Sequence, residues 1–161
     1  MFTTEQQAAI KADILANPDL DAFPNTVDGA FGIKAAYDLV AVPDFFVYQD
    51  VSAKEVSDAI HLDEIANITS ADSDRVIKFF QIRSFDGGQF HGAEQSDRDA
   101  WDDVFSAAAG DASQQAIAAL WRRLATRLEA LFATGTGTNG DPAIMTLQTV
   151  SYQDIYDARN S

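Results

Sequence analysis

The chain has 161 residues, 47% of them hydrophobic, and a formal net charge of −14. This length favours one domain, and the hydrophobic fraction suffices for a sizeable core without metal or disulfide cross-links. Because the sequence has no cysteine, disulfides, thiolate zinc sites and a cysteine nucleophile are excluded.

The excess of acidic over basic residues is confined to the first part of the chain. Residues 1–111 have 7 Lys and Arg against 21 Asp and Glu, whereas residues 112–161 have 4 of each class. An acidic body repels phosphate backbones, so we expect no stable nucleic-acid binding. The same repulsion would suit the wall of a channel through which DNA slides.

Neither a targeting segment nor a membrane span is predicted. Residues 1–5 lack the basic and apolar regions of a signal peptide. No apolar run approaches the roughly 18 residues that a membrane span requires. We therefore expect a soluble protein that is made in a cytoplasm.

A pattern of caps followed by periodic apolar residues predicts helices along most of the chain. Thr4 with Gln7, and Ser52 with Glu55, have the spacing of capping boxes. Asp28 is a candidate cap for the second helix. The predicted helices cover about residues 4–16, 28–41, 52–60, 63–68, 70–82, 96–109 and 112–133. Residues 45–48 are predicted to be an aromatic segment, either extended or a short helix, and residues 84–92 a loop.

The strongest of these predictions is the helix at 112–133. Its apolar residues follow the i, i+3, i+4, i+7 spacing of an amphipathic helix. Arg122, Arg123 and Arg127 lie off that stripe. They belong either to a solvated helix face or to a contact with an Asp-rich surface of a neighbouring identical subunit.

A glycine-rich segment follows the predicted helix. Residues 135–140, Gly-Thr-Gly-Thr-Asn-Gly, have the glycine spacing of a dinucleotide-binding loop, but a predicted helix precedes them and a strand-like segment follows. The glycines would face a helix C-terminus, whose partial negative charge disfavours phosphate. We therefore interpret Gly135, Gly137 and Gly140 as a hinge.

Beyond this hinge, residues 144–150 are predicted to form a strand or hairpin, and Ser151 with Asp154 to cap a short final helix. Apolar residues on such an arm need burial on their own body or on another chain. Strand addition would supply main-chain hydrogen bonds to a partner. The residues that we expect at a partner interface are Met145, Leu147, Val150, Tyr152, Ile155, Tyr156 and Arg159.

No catalytic or metal-binding arrangement is recognised in the sequence. His61 lies near Asp63 and Glu64, and His91 lies near several acids, but neither cluster has a known metal-ligand spacing. No G-x-S-x-G elbow is present. We expect no enzymatic activity, no cofactor and no metal. A cation- or ligand-binding regulatory module around residues 91–103 is an alternative.

These patterns predict a mainly α protein with two parts. Residues 1–134 are expected to form a helical bundle. Residues 135–161 are expected to form a glycine hinge and a C-terminal extended arm, made of a strand or hairpin and a short terminal helix.

Much of the sequence resembles a family of small virion proteins of tailed bacteriophages. Residues 50–115 are the least similar part. The resemblance is carried by residues 124–137 and 151–155, by Ala158-Arg159, and by the order of Asn17-Pro18, Pro24-Asn25, residues 28–31 and residues 43–45.

The resemblance implies a non-enzymatic head–tail connector, or adaptor, subunit in the virion. Such adaptors are typically small helical proteins that form a twelve-fold ring under the portal protein and carry an extended arm. By analogy, the bundle would pack into a ring, the arm would dock on the portal or the next neck or tail protein, and acidic side chains would line the DNA channel. Another neck, tail-completion or capsid-decorating protein is the alternative.

Overall fold

The computed structural model describes residues 2–65, 74, 77–78, 81, 88–105, 111–145 and 150–161. Helices predominate, which confirms the prediction of a mainly α protein. Most of the predicted helix at 70–82 lies outside the described residues. A short helix covers the start of the turn predicted at 63–68.

The helices and strands are short and closely spaced along the chain. In chain order they are α1 (Thr4–Ala16), α2 (Pro18–Asp21), α3 (Val27–Tyr37), β1 (Phe46–Tyr48), β2 (Asp50–Ser52), α4 (Ala53–Ala59), α5 (Leu62–Ile65), β3 (Gln89–His91), α6 (Gln95–Phe105), α7 (Asp111–Leu120), β4 (Arg122–Leu124), α8 (Arg127–Phe132) and α9 (Tyr152–Asn160).

Side-chain caps set the starts of the first helices. Thr3 and Gln6 form the capping box of α1, and the Thr26 hydroxyl caps α3. Both caps lie slightly before the positions predicted at Thr4 and Asp28. The capping box predicted for α4 is confirmed. Such caps satisfy backbone N–H groups that the first helical turn leaves without partners.

The prediction of one continuous helix at 112–133 is wrong. Helix α7 ends at Leu120, and the next residues form β4, which pairs with β1 in antiparallel register. Thr126 then begins α8 in a capping box with Glu129. The Thr-x-x-Glu spacing was a local signal for this break. Pairing with a strand that is distant in sequence overrode the helical periodicity.

Two short antiparallel sheets join distant parts of the chain. Strand β1 pairs with β4, and β2 pairs with β3. Of the two alternatives predicted for residues 45–48, the structure has the extended one, whereas part of the loop predicted at 84–92 is a strand. Of the strand predicted at 144–150, Ile144 forms a bridge with Thr134, and residues 146–149 lie outside the described residues.

Among the described residues, two clusters of buried side chains are the largest, and we call them the first core and the second core. The second core contains both tryptophans and joins α4, α6 and α7 to the β2–β3 pair. The first core consists of Ile10, Ile14, Leu20, Ala30, Ile33, Tyr37, Leu128, Val150, Ile155 and Ala158. The second core consists of Val51, Val56, Phe90, Trp101, Ile117 and Trp121.

The C-terminal helix belongs to the first core. Helix α9, with the predicted Ser151–Asp154 capping box, packs against α1 and α3. Ile155 and Ala158 are fully buried there. The apolar face of α9 is thus buried on its own chain in this structure, and the division expected after residue 134 stays a prediction.

Candidate functional site

The segment predicted as a hinge is a closed loop. Thr134 and Ile144 exchange two backbone hydrogen bonds, of 2.9 and 2.8 Å. Within the loop, Thr138 and Asp141 also exchange backbone hydrogen bonds, of 3.1 and 3.2 Å. These bonds tie the two ends of the loop together.

The glycines of this loop have different roles. Gly135 and Gly137 adopt positive φ angles, of 129° and 64°, which favour glycine over other residues. A Cβ atom on Gly137 would lie 2.2 Å from the ring of Phe45, whereas nothing lies within 4 Å of one on Gly140. Close packing, rather than hinge motion, accounts for Gly137.

The three arginines predicted at a subunit contact all have partners within the chain. Their bonds run from Arg122 to the Asn139 carbonyl (2.6 Å), from Arg123 to both Glu129 carboxylate oxygens (2.7 Å each) and from Arg127 to the Asp13 carboxylate (3.1 and 3.3 Å). The hydrogen bonds from Arg123 lower the pKa of Glu129. A contact of these arginines with another subunit stays a prediction.

Several residues predicted at a partner interface contact the rest of the chain instead. Val150 and Ile155 are buried in the first core, and Tyr156 packs at its edge. The ring of Tyr152 stacks on Phe31 with ring centroids 4.0 Å apart. In this structure, these four residues therefore stabilise the chain's own fold.

The remaining predicted interface residues also show intrachain contacts where they are described. Arg159 donates hydrogen bonds to the carbonyls of Phe23 (2.9 Å) and Pro24 (3.2 Å). Met145 is half-buried, with its Sδ 3.9 Å from the guanidinium of Arg123. Leu147 lies outside the described residues.

The histidine clusters contribute to local structure. His91 Nδ1 lies 3.1 Å from a carboxylate oxygen of Asp50, and the His91 backbone N–H donates to buried Asp97 at 3.0 Å. The Glu64 carboxylate accepts hydrogen bonds from two N–H groups at the start of α7. Across the described ranges, no three His, Asp or Glu side chains are arranged to hold a metal ion.

A search for membrane spans gives no candidate among the described helices, because none combines sufficient length with sufficient hydropathy.

The described part of the chain contains an open groove of about 710 Å³. It lies between α1, α2, α8 and the segment that follows α3. We call it the 39–45 groove. Its lining residues are Asp13, Asn17, Asp19, Leu20, Phe23, Ala36, Leu39, Val40, Ala41, Val42, Pro43, Phe45, Arg127, Ala130 and Leu131.

Exposed apolar side chains form one rim of the 39–45 groove. Leu39 is 66% exposed, Val40 51% and Val42 93%. Single exposed apolar residues are common on protein surfaces, but adjacent ones beside a concave surface mark a binding site. The rim is therefore the strongest candidate interaction surface.

This groove was not predicted from the sequence. Residues 39–41 were expected to belong to the second helix, which was expected to end at Val42-Pro43. Helix α3 instead ends at Tyr37, so the apolar run that follows is extended and partly uncovered. The position of this apolar run directly before Pro43 indicated an earlier helix end, because proline disfavours helical backbone in the residue that precedes it.

Polar groups form a partly buried network at one end of the groove. Asp13 accepts a hydrogen bond of 2.9 Å from the Tyr37 hydroxyl and forms an ion pair of 3.1 Å with Arg127. The Arg127 guanidinium lies 5.8 Å from the centre of the Tyr37 ring. This network holds α8 against α1 and α3. Its cation, Arg127, is the one cationic side chain among the described residues of the lining.

The stability of the protein is expected to fall as the pH rises above about 10, the ordinary pKa of tyrosine. Burial, followed by the charge of Asp13, raises the pKa of Tyr37 far above its usual range. The unfolded chain therefore loses this proton first. The contribution of the protonated Tyr37 hydroxyl to the free energy of unfolding is complete below about pH 10. Above that pH it decreases by at most about 1.4 kcal/mol per pH unit.

Urea denaturation between about pH 8 and pH 11, across the ordinary tyrosine pKa, would measure this decline. The variant Tyr37→Phe has no hydroxyl to titrate and should show a shallower decline. An equally steep decline in the variant would assign the effect to other groups.

Comparisons of this chain with protein-family models, curated proteins and solved structures find no match. The function of this chain is therefore inferred from its own residues and from the geometry of the 39–45 groove.

Proposed function

We propose that this chain is a non-enzymatic structural subunit at the head–tail junction of a tailed-phage virion, and that it works by binding other proteins. The observation that carries this proposal is the row of exposed apolar side chains at Leu39, Val40 and Val42 beside an open groove. Covering such a surface with another protein removes apolar area from water, which favours association. The resemblance to phage virion proteins supplies the biological setting.

The charge of the chain suits this position. With a net charge of −14, a ring of such subunits would repel DNA and let it pass without binding. In the proposal, the helical bodies pack side by side into a ring, which we expect to be twelve-fold. The portal protein and the next neck or tail protein are the partners.

The 39–45 groove is a better contact site than the C-terminal segment. Docking Val150 and Ile155 on a partner would first expose the first core to water, at a cost of roughly 1.5–3 kcal/mol for each large apolar side chain. Leu39 and Val42 are already exposed. They gain burial on binding without any loss inside the subunit.

Mass photometry of the full chain mixed with the portal protein of the same phage tests this proposal. We expect a discrete complex heavier than the portal assembly alone by a multiple of the 17.5 kDa subunit mass. The absence of any complex with portal or neck proteins, at every concentration tested, would contradict the head–tail assignment. Binding to the major capsid protein instead would favour a capsid-decorating role.

A matched pair of variants connects this assembly to the groove. The double variant Leu39→Ser with Val42→Ser should weaken the complex at least tenfold, because two apolar contacts are worth more than the roughly 1.4 kcal/mol of one tenfold step. Val27→Ser is the control, since Val27 is 43% exposed but does not line the groove. Equal loss of binding in both variants would count against a specific role of the groove.

A further inference from the structure

Val40 forms an isolated antiparallel bridge with Thr126, and the other side of its backbone is an open edge. The Ala41 N–H donates to the Ala125 carbonyl (2.9 Å), and the Arg127 N–H donates to the Leu39 carbonyl (2.8 Å). In this antiparallel pattern, the N–H and C=O groups of the residue between them, Val40, point away from the paired strand. Neither group has a hydrogen-bond partner in the described part of the chain.

This edge has the features that protein strands normally avoid. Unpaired N–H and C=O groups with apolar side chains form a template for a further strand. Here the edge runs along the 39–45 groove, and its side chains form the apolar rim. A strand added at Val40 would therefore place its own side chains next to the groove.

The charges around this edge are negative. Asp19 lines the groove and Asp44 follows Pro43 in the chain, and both are exposed. Neither carboxylate has an ion pair within the described residues. The cation of the lining, Arg127, is already paired with Asp13. The charges at the groove that are available to a partner are thus the carboxylates of Asp19 and Asp44.

We propose that an extended, apolar segment with basic side chains, supplied by a different protein, adds as a strand to the Val40 edge. Its main chain bonds to Val40, its apolar side chains fill the groove, and its Lys or Arg side chains meet Asp19 and Asp44. A second copy of this chain is a poorer occupant of this edge, because the occupant needs basic side chains and the chain has 11 Lys and Arg against 25 Asp and Glu. This inference rests on the proposed protein-binding function and names the chemistry of the partner.

The experiment uses the full chain and a fluorescently labelled peptide of alternating valine and arginine. One control peptide has glutamate in place of arginine, and another has N-methylated backbone amides that cannot donate hydrogen bonds. Fluorescence anisotropy measures affinity. Amide hydrogen exchange measures protection of the Val40 N–H.

We expect the valine–arginine peptide to bind at least tenfold more tightly than either control peptide and to slow exchange at Val40. The double variant Leu39→Ser with Val42→Ser should lose at least tenfold in affinity, whereas Val27→Ser should bind like the natural chain. Raising the salt concentration should weaken binding, because the attraction to Asp19 and Asp44 is screened.

Any of four results would overturn the inference. They are no binding of the valine–arginine peptide, equal binding of the valine–glutamate peptide, unchanged exchange at Val40, and self-association of the chain that the double variant abolishes. The last result would assign the groove to a second copy. A portal complex without peptide binding would overturn this inference alone, and peptide binding without any virion partner would overturn the head–tail function alone.

Discussion

Replacing Ile155 by alanine is expected to destabilise the protein by about 2–5 kcal/mol. Ile155 is 0% exposed and lies in the first core, where α9 packs on α1 and α3. The substitution removes buried apolar groups and leaves a cavity. Because domains are typically stabilised by only about 5–15 kcal/mol, this loss should be visible as a large shift of the midpoint of urea denaturation, followed by circular dichroism.

Gln153→Ala is the matched control for Ile155→Ala. Gln153 lies on the exposed side of the same helix, where it donates a hydrogen bond to Asp157, and surface changes of this kind usually alter stability by less than about 0.5 kcal/mol. Deletion of residues 151–161 should abolish cooperative unfolding. A truncated chain with an unchanged midpoint would identify α9 as a detachable arm after all.

Gly137→Ala should cost about 2–5 kcal/mol. The positive φ angle of Gly137 disfavours any residue with a Cβ atom, by about 1–2 kcal/mol. Overpacking against the Phe45 ring, 2.2 Å from the new atom, adds about 1–3 kcal/mol. Thermal or urea denaturation measures the total. Since Phe45 also lines the 39–45 groove, displacement of its ring should weaken partner binding as well.

Gly140→Ala provides the comparison within the same loop. Nothing lies within 4 Å of a Cβ atom at this position, and its φ is not positive. The substitution should be neutral or slightly stabilising, because it reduces the conformational entropy of the unfolded chain. If both alanine variants were equally stable, the loop would behave as the flexible hinge expected from sequence.

The sequence determined those features that depend on neighbouring residues. The capping boxes of α4 and α9 were predicted because each joins side chains and backbone groups three residues apart. The mainly α class follows from the same caps and from apolar periodicity. The position of the negative charge is a direct property of the amino-acid order.

Long-range contacts decided the strand between α7 and α8, the position of α9 and the presence of the groove. Residues 122–124 form a strand because β1 supplies hydrogen bonds to them from a distant part of the chain. Apolar periodicity predicts that Ile155 is buried, but not against which surface. Likewise, Val42 is exposed because no neighbouring element of the described chain covers it. Local pattern fixes the preference of a residue for burial, and only long-range packing decides whether that preference is satisfied.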